Sequence, residues 1–98
     1  MFRGTTPTFT FTLQFDASQI DSAYATFAQS GSVIIDKSLE DMQQSGKRLI
    51  VKLTQEETLL LKGNSAVEIQ LSVRVGENVM RSKIMNVTVN RILKEAAI

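Results

Sequence analysis

The sequence predicts an all-β fold: one antiparallel β-sandwich of the immunoglobulin-like kind, with about seven strands and one short helix, occupying residues 1–98 as a single domain. Three observations lead there. First, Val67, Ile69, Leu71, Val73 and Val75 alternate with Glu68, Gln70, Ser72 and Arg74, and Leu49, Val51 and Leu53 alternate with Arg48, Ile50 and Lys52. Alternation of period two places one face of each strand on a core and the other toward water or a partner. Second, Thr54-Gln55-Glu56-Glu57 between those strands fits a capping box. There the Thr hydroxyl accepts from the N–H three residues on while the Glu carboxylate reaches back to the Thr N–H. Third, Ser-Gly and Gly-Asn turn signals separate the apolar runs at about the 8–12-residue spacing of sandwiches.

Taken in order, Phe9, Phe11, Leu13 and Phe15 alternate with Thr8, Thr10, Thr12 and Gln14 to give the first strand, both Phe and Thr suiting a half-buried pleated surface. Asp16 is placed to cap a single helical turn, with Ile20 tucked beneath it. Ser22 to Gln29 and Ser32 to Lys37 flank Ser30-Gly31 and read as a hairpin. The pattern leaves open which face of the first of these strands is buried. Val33, Ile34 and Ile35 are consecutive, as expected of a strand covered on both sides. Ser38 to Lys47 is polar, with Leu39 and Met42 its only anchors, and reads as a loop with one helical turn. The helix that follows Thr54 runs four to seven residues through Leu61 and stops at Gly63-Asn64. Gly76-Glu77-Asn78 turns the chain back into Val79–Lys83 and Ile84–Ile92, where Met85, Val87 and Val89 oppose Asn86, Thr88 and Asn90. The phase slips at Arg91-Ile92-Leu93, so a bulge or a strand end falls there. From Arg91 to Ile98 the spacing suits one or two turns of helix, and so short a helix needs a surface to lie on.

Only residues 54–61 and 93–98 suit helix, which excludes a parallel α/β fold. A five- or six-strand barrel stays open, because closure depends on a shear that sequence does not display.

Composition narrows the chemistry. With no His and no Cys there is no Ser-His-Asp triad, no Cys nucleophile, no ordinary zinc site and no disulfide. The neighbouring acids Glu40-Asp41 and Glu56-Glu57 point apart along a chain, whereas a glycosidase needs two acids facing across a cleft. No calcium loop and no glycine-rich phosphate cradle occurs, so neither a cofactor nor a small-molecule substrate is expected. Apolar runs of three or four residues, such as Leu59 to Leu61, fall far short of a membrane span, and the opening Met-Phe-Arg-Gly has no secretory h-region.

Formal charge is +1, with basic residues scattered singly. Arg48 and Lys52 share a strand face, and Arg74, Arg81 and Lys83 surround the adjoining hairpin. Single-strand nucleic-acid binders interleave such charges with exposed aromatics, and here only Tyr24 is a candidate platform. Apolar residues on polar faces are the feature that exceeds a self-contained monomer. Ile34, Ile50, Met80 and Ile84 lie opposite the faces assigned to the core, and Ile92, Leu93, Ala96, Ala97 and Ile98 make an apolar tail. Together they mark a covered surface, with Arg91–Ile98 docked on a neighbouring chain.

The runs GTTPTFTFTLQFD, ATFAQSG, VKLTQEETLLL, EIQLSV, RSKI and RILKEAAI resemble a family of short structural proteins of phages and prophages of Gram-positive bacteria. The order of parts is also similar to the N-terminal β-sandwich domain of phage baseplate upper proteins, though the chain stops after one such domain. The resemblance implies a non-enzymatic virion structural protein, a small tail, neck or head-decorating component made in the bacterial cytoplasm. Its partners would be other phage structural proteins and further copies of itself, and it implies no catalytic residues. The alternative, from another class, is a small nucleic-acid-binding β-barrel.

Overall fold

The alternating segments pair into two antiparallel sheets in the computed structural model, which describes residues 1–98. In chain order the elements are β1 (Thr8–Thr12), β2 (Ser22–Gln29), β3 (Ser32–Ser38), β4 (Met42–Ser45), β5 (Arg48–Lys52), helix α1 (Gln55–Leu59), β6 (Ser65–Val75), β7 (Asn78–Arg81) and β8 (Met85–Val89). The smaller sheet has the order β1-β5-β4; the larger runs β3-β2-β6, with β7 and β8 sharing the far side of β6. No strand pair links the two sheets, so they do not close into one hydrogen-bonded barrel.

Both sheets feed one core. Phe11, Leu49, Val51 and Leu53 enter it from the smaller sheet and Ala25, Phe27, Val67, Ile69 and Val89 from the larger. The Phe9 and Phe27 rings meet across the gap at 5.5 Å between centroids, tilted by 59°. Each fully buried aliphatic or aromatic side chain stabilises by about 1.5–3 kcal/mol, and the predicted register of β6 holds throughout: Val67, Ile69, Leu71 and Val73 are buried while Arg74 is exposed. For β2 the structure decides what the pattern left open, burying Ala23, Ala25 and Phe27 and turning Tyr24 outward.

Several local devices match the sequence. The Asp16 carboxylate accepts from the Ser18 N–H at 2.9 Å and starts a 3-10 turn over Ala17–Gln19, with Ile20 buried behind it. Ser30 and Gly31 join β2 to β3 with φ of 52° and 79°, the two positive values that a type I′ hairpin turn requires. Thr54 and Glu57 form the full capping box, at 3.1 and 2.8 Å.

Four expectations change. There are eight strands because Met42–Ser45, polar enough to read as loop, pairs with β5 through its backbone as an exposed edge; a 3-10 turn at Leu39–Asp41 precedes it. Val33-Ile34-Ile35 is not covered on both faces. The β2–β3 register slips between Phe27 and Ala28, leaving Ile34 as the extra residue of a bulge. Ile34 and Ile35 therefore both pack toward the core while Val33 is 61 % exposed. Met80 pairs with Val73 and so lies on the inner face of its sheet, not opposite the core. Residues 91–98 form no helix; β8 ends at Val89 and the chain continues in bends.

A second bulge separates β7 from β8. Ser72 faces Arg81 and Ile69 faces Met85, so Gln70 and Leu71 oppose the three residues Ser82, Lys83 and Ile84. Ser82 keeps the ladder closed: its N–H donates to Leu71 O at 2.8 Å and its hydroxyl accepts from Leu71 N–H at 2.9 Å.

Residues 1–6 form a strap. Asn90 N–H donates to Met1 O at 2.6 Å and Arg3 N–H donates to Asn90 O at 3.1 Å, laying the strap parallel to the end of β8. The Arg3 guanidinium caps the end of α1, donating to Leu61 O at 2.6 Å and Leu59 O at 2.7 Å, where a cation also suits the helix dipole. Thr58, fully buried, completes the clasp: its hydroxyl accepts from Thr5 N–H at 3.0 Å and donates to Thr5 O at 2.8 Å.

Candidate interaction surfaces

A groove of about 470 Å³ lies between the free edge of β1 and the β7/β8 side of the larger sheet. Phe11, Leu13 and Phe15 line one wall; Leu71, Met80 and Met85 line the other. Register explains its character. Met80 faces Val73 and Met85 faces Ile69, so both methionines occupy inner-face positions. Yet they stay 41 % and 40 % exposed, because the smaller sheet does not reach over them.

The β1 wall also presents backbone. Pro7 O accepts from Leu53 N–H at 3.1 Å and Leu13 N–H donates to Lys47 O at 2.7 Å, so the odd-numbered residues turn their main-chain groups toward the β5 side. Alternation along an antiparallel strand then aims those of Thr8, Thr10 and Thr12 at the open edge. Thr10 and Thr12 line the groove.

The seven residues singled out from sequence do not form one patch. Ile34 packs on its own core. Ile50 is half-buried on the outer face of the smaller sheet, between Thr10 and Gln43. Met80 lies in the groove, and Ile84 lies on the outer face of the larger sheet beside Thr26 and Gln70. Ile92 sits against the strap, close enough that a side chain at Gly4 would meet its Cδ1 at 3.0 Å. Leu93 and Ile98 are 92 % and 97 % exposed, the most exposed large apolar side chains of the chain. Met85 and Phe15, assigned from sequence to the core face, are the groove residues whose partial exposure the sequence did not announce. Alternation tells which face a residue takes, not how far the opposite sheet extends.

The basic residues likewise separate. Arg48 and Lys52 pair with Thr12 and Thr8 on the outside of the smaller sheet. Arg74 and Arg81 flank Tyr24 on the outside of the larger one, where Ser72 faces both Tyr24 and Arg81. No single groove gathers all four charges.

Around α1 the one partly buried ion pair is structural in geometry. Lys37 Nζ donates to both Glu57 oxygens at 2.9 Å, and Glu57 Oε1 also accepts from Thr54 N–H at 2.8 Å. Partial burial pushes the Glu57 carboxyl up, but the Thr54 N–H and the Lys37 ammonium together outweigh it and hold the group below its ordinary value. These bonds engage both carboxylate oxygens and commit the group to holding Lys37 and the start of α1. Gln29, buried at the end of β2, is equally committed: its amide donates to Lys62 O at 3.1 Å and accepts from Lys62 N–H at 2.8 Å. Every buried side-chain polar atom has a partner, and no helix is long and apolar enough to cross a membrane.

Comparisons of the chain with protein-family models, with curated proteins and with solved structures return no match.

Proposed function

We propose that this chain is a non-enzymatic structural component of a phage particle, a small tail, neck or head-decorating protein that works by assembling with copies of itself and with other virion proteins. We further assign its two sheets to an immunoglobulin-like sandwich, since antiparallel sheets sharing one alternating core suit that architecture. The observation that carries the functional reading is the groove. Inner-face methionines and an unpaired strand edge are left open in the isolated chain, and such features favour a neighbour. The sequence resemblance to short phage and prophage proteins supplies the setting.

Particles purified from a strain that encodes the chain test this by peptide mass spectrometry and immunogold labelling. The protein should sediment with intact particles and resist a salt wash. Its absence from particles would count against the proposal. Nucleic acid retained by the purified protein and released by salt, with a slope reflecting the phosphates contacted, would favour the small nucleic-acid-binding reading, for which Tyr24 between Arg74 and Arg81 is the relevant surface.

A further inference from the structure

The outer face of the larger sheet carries charge of both signs, sorted by position. Its rows follow the register of β6. Arg74 stands opposite Ser22 on one side and Val79 on the other, and Ser72 stands opposite Tyr24 and Arg81. Two residues along, Gln70 stands opposite Thr26, Thr26 opposite Asp36, and Ile84 lies beside Gln70. The next row holds Glu68, Ala28 and Val33. Both arginines therefore lie toward the β6–β7 turn, and both acids lie toward the other end of the face.

None of these four charges is neutralised within the chain. Arg74 and Glu68 are six residues apart on β6, about 20 Å at 3.4 Å per residue. The two ion pairs of the structure, Arg3–Glu95 and Lys37–Glu57, involve other residues. Asp36 accepts only from the Thr26 hydroxyl, at 2.8 Å. Tyr24, Val33, Val79 and Ile84 are exposed on the same face. Aromatic and apolar side chains mixed with arginine are the composition of a contact surface.

The two halves of the face match each other across one line. On a flat lattice of about 4.8 Å between strands and 3.4 Å between residues, the line from Tyr24 to Ile84 crosses the strands obliquely. Reflection across that line carries Arg74 onto Asp36, Arg81 to within about 5 Å of Glu68, and Val79 to within about 3 Å of Val33. Side chains span such offsets. A half-turn about an axis lying in the face performs this reflection on a second copy laid against the first.

From this placement we infer that two copies pack larger sheet on larger sheet, outer face to outer face, about a two-fold axis that runs past Tyr24 and Ile84. Arg74 of each copy meets Asp36 of the other, and Arg81 meets Glu68. Val33 meets Val79, while Tyr24 and Ile84 each meet their own counterparts on the axis. The strands of the two sheets cross steeply, in the manner of orthogonal sheet packing. The contact is isologous, with one patch used by both copies, and it closes at two. It rests on the structural-component reading above and specifies the self-contact.

Light scattering on size-exclusion fractions of the full chain tests it by reversing each half of the face. One variant carries Arg74→Glu and Arg81→Glu, the other Asp36→Lys and Glu68→Lys. Far-UV circular dichroism with thermal melting checks that each keeps the fold. The wild type should run at mass two and shift toward monomer as salt screens the exposed pairs. Each double variant alone should be monomeric, because its face then carries one sign of charge. Mixed in equal amounts the two should return to mass two, since every contact again joins opposite signs. Ile84→Asp, which sets like charges against each other on the axis, should also give monomer. A wild-type chain that stays monomeric up to its solubility limit would overturn the inference, as would a dimer that survives the charge reversals or a mixture that fails to restore it. A monomer that retains salt-releasable nucleic acid would overturn it too, and would assign Tyr24, Arg74 and Arg81 to that ligand. Absence from particles, by contrast, bears on the structural-component reading and not on the dimer.

Discussion

Replacing Thr58 by Val keeps its shape and removes one oxygen, and that oxygen holds the strap. The hydroxyl accepts from Thr5 N–H at 3.0 Å and donates to Thr5 O at 2.8 Å, with a further carbonyl, Gln55 O, at 3.1 Å. Because the side chain is fully buried, the Val methyl fills the space with no cavity, but no water reaches Thr5 from that side. Leaving a buried donor or acceptor unpaired costs about 1–3 kcal/mol. Thr5 is itself exposed and regains part of its hydrogen bonding from solvent, so the expected loss is about 2 kcal/mol. For a chain of this size that corresponds to a melting temperature lower by about 8–16 °C. Hydrogen exchange should localise the effect, with the amides of Gly4 to Thr6 losing protection while those of Val67 to Val73 change only by the global shift. Thr58→Ser keeps the hydroxyl and should retain most of the protection at residues 4–6. If Thr58→Val melts like the wild type and the strap amides exchange unchanged, the hydroxyl is not what fastens the strap.

Thr54→Ala should cost about 1 kcal/mol through loss of the cap, read from chemical denaturation, with oligomer mass unchanged; a loss of assembly without a loss of stability would make the box a contact site instead. Ile69→Ala should cost about 2–5 kcal/mol, whereas Arg74→Ala, on the exposed face of the same strand, should change stability by less than about 0.5 kcal/mol; the opposite ranking in denaturant midpoints would refute the register. Glu57 and Asp16 are both held below their ordinary values of 4.5 and 3.8, Asp16 by its hydrogen bonds from Ser18. A carboxyl whose folded pKa is depressed contributes stability in full above its unfolded value and loses it as pH falls through the folded one. The melting temperature should therefore decline below about pH 4.5, and Glu57→Gln, less stable at neutral pH, should show a shallower acid decline. Equal acid slopes would mean that the Lys37–Glu57 pair contributes nothing measurable.

What could be read from sequence was whatever is decided locally. The period of β6, the Thr54 box, the Asp16 cap and the Ser30-Gly31 turn each involve residues within a few positions of one another, and all four are present. What escaped depends on distant neighbours. Met42–Ser45 becomes a strand only because β5 lies beside it, and Gly4-Thr5-Thr6 looks like loop until Thr58 and Gln55 bind it across more than 50 residues. Ile34 looked like an outward residue because alternation assumes an unbroken register, and the bulge at Phe27/Ala28 breaks it. Met80 was misassigned for the same reason: its face follows from pairing with Val73, while its own short, exposed strand carries little alternation. The phase slip at Arg91 marked a real strand end, but helical spacing over the next residues produced no helix, and the chain continues there in bends.

The strap also bears on the order in which the molecule assembles itself. Met1 and Arg3 bond to Asn90, and Arg3 reaches the end of α1, so the contacts that fix the first residues close loops of 56 to 89 residues. Closing a long loop costs entropy that is recovered only once its contacts form, and topologies dominated by distant pairings fold slowly. During synthesis residues 55–61 emerge first and can engage Arg3, Gly4 and Thr5, but the bonds of Met1 and Arg3 to Asn90 must wait until β8 has emerged. Strap closure is then a late folding event, lying after the main barrier. Weakening it should accelerate unfolding while leaving the refolding rate nearly unchanged, the kinetic signature of an interaction absent from the transition state.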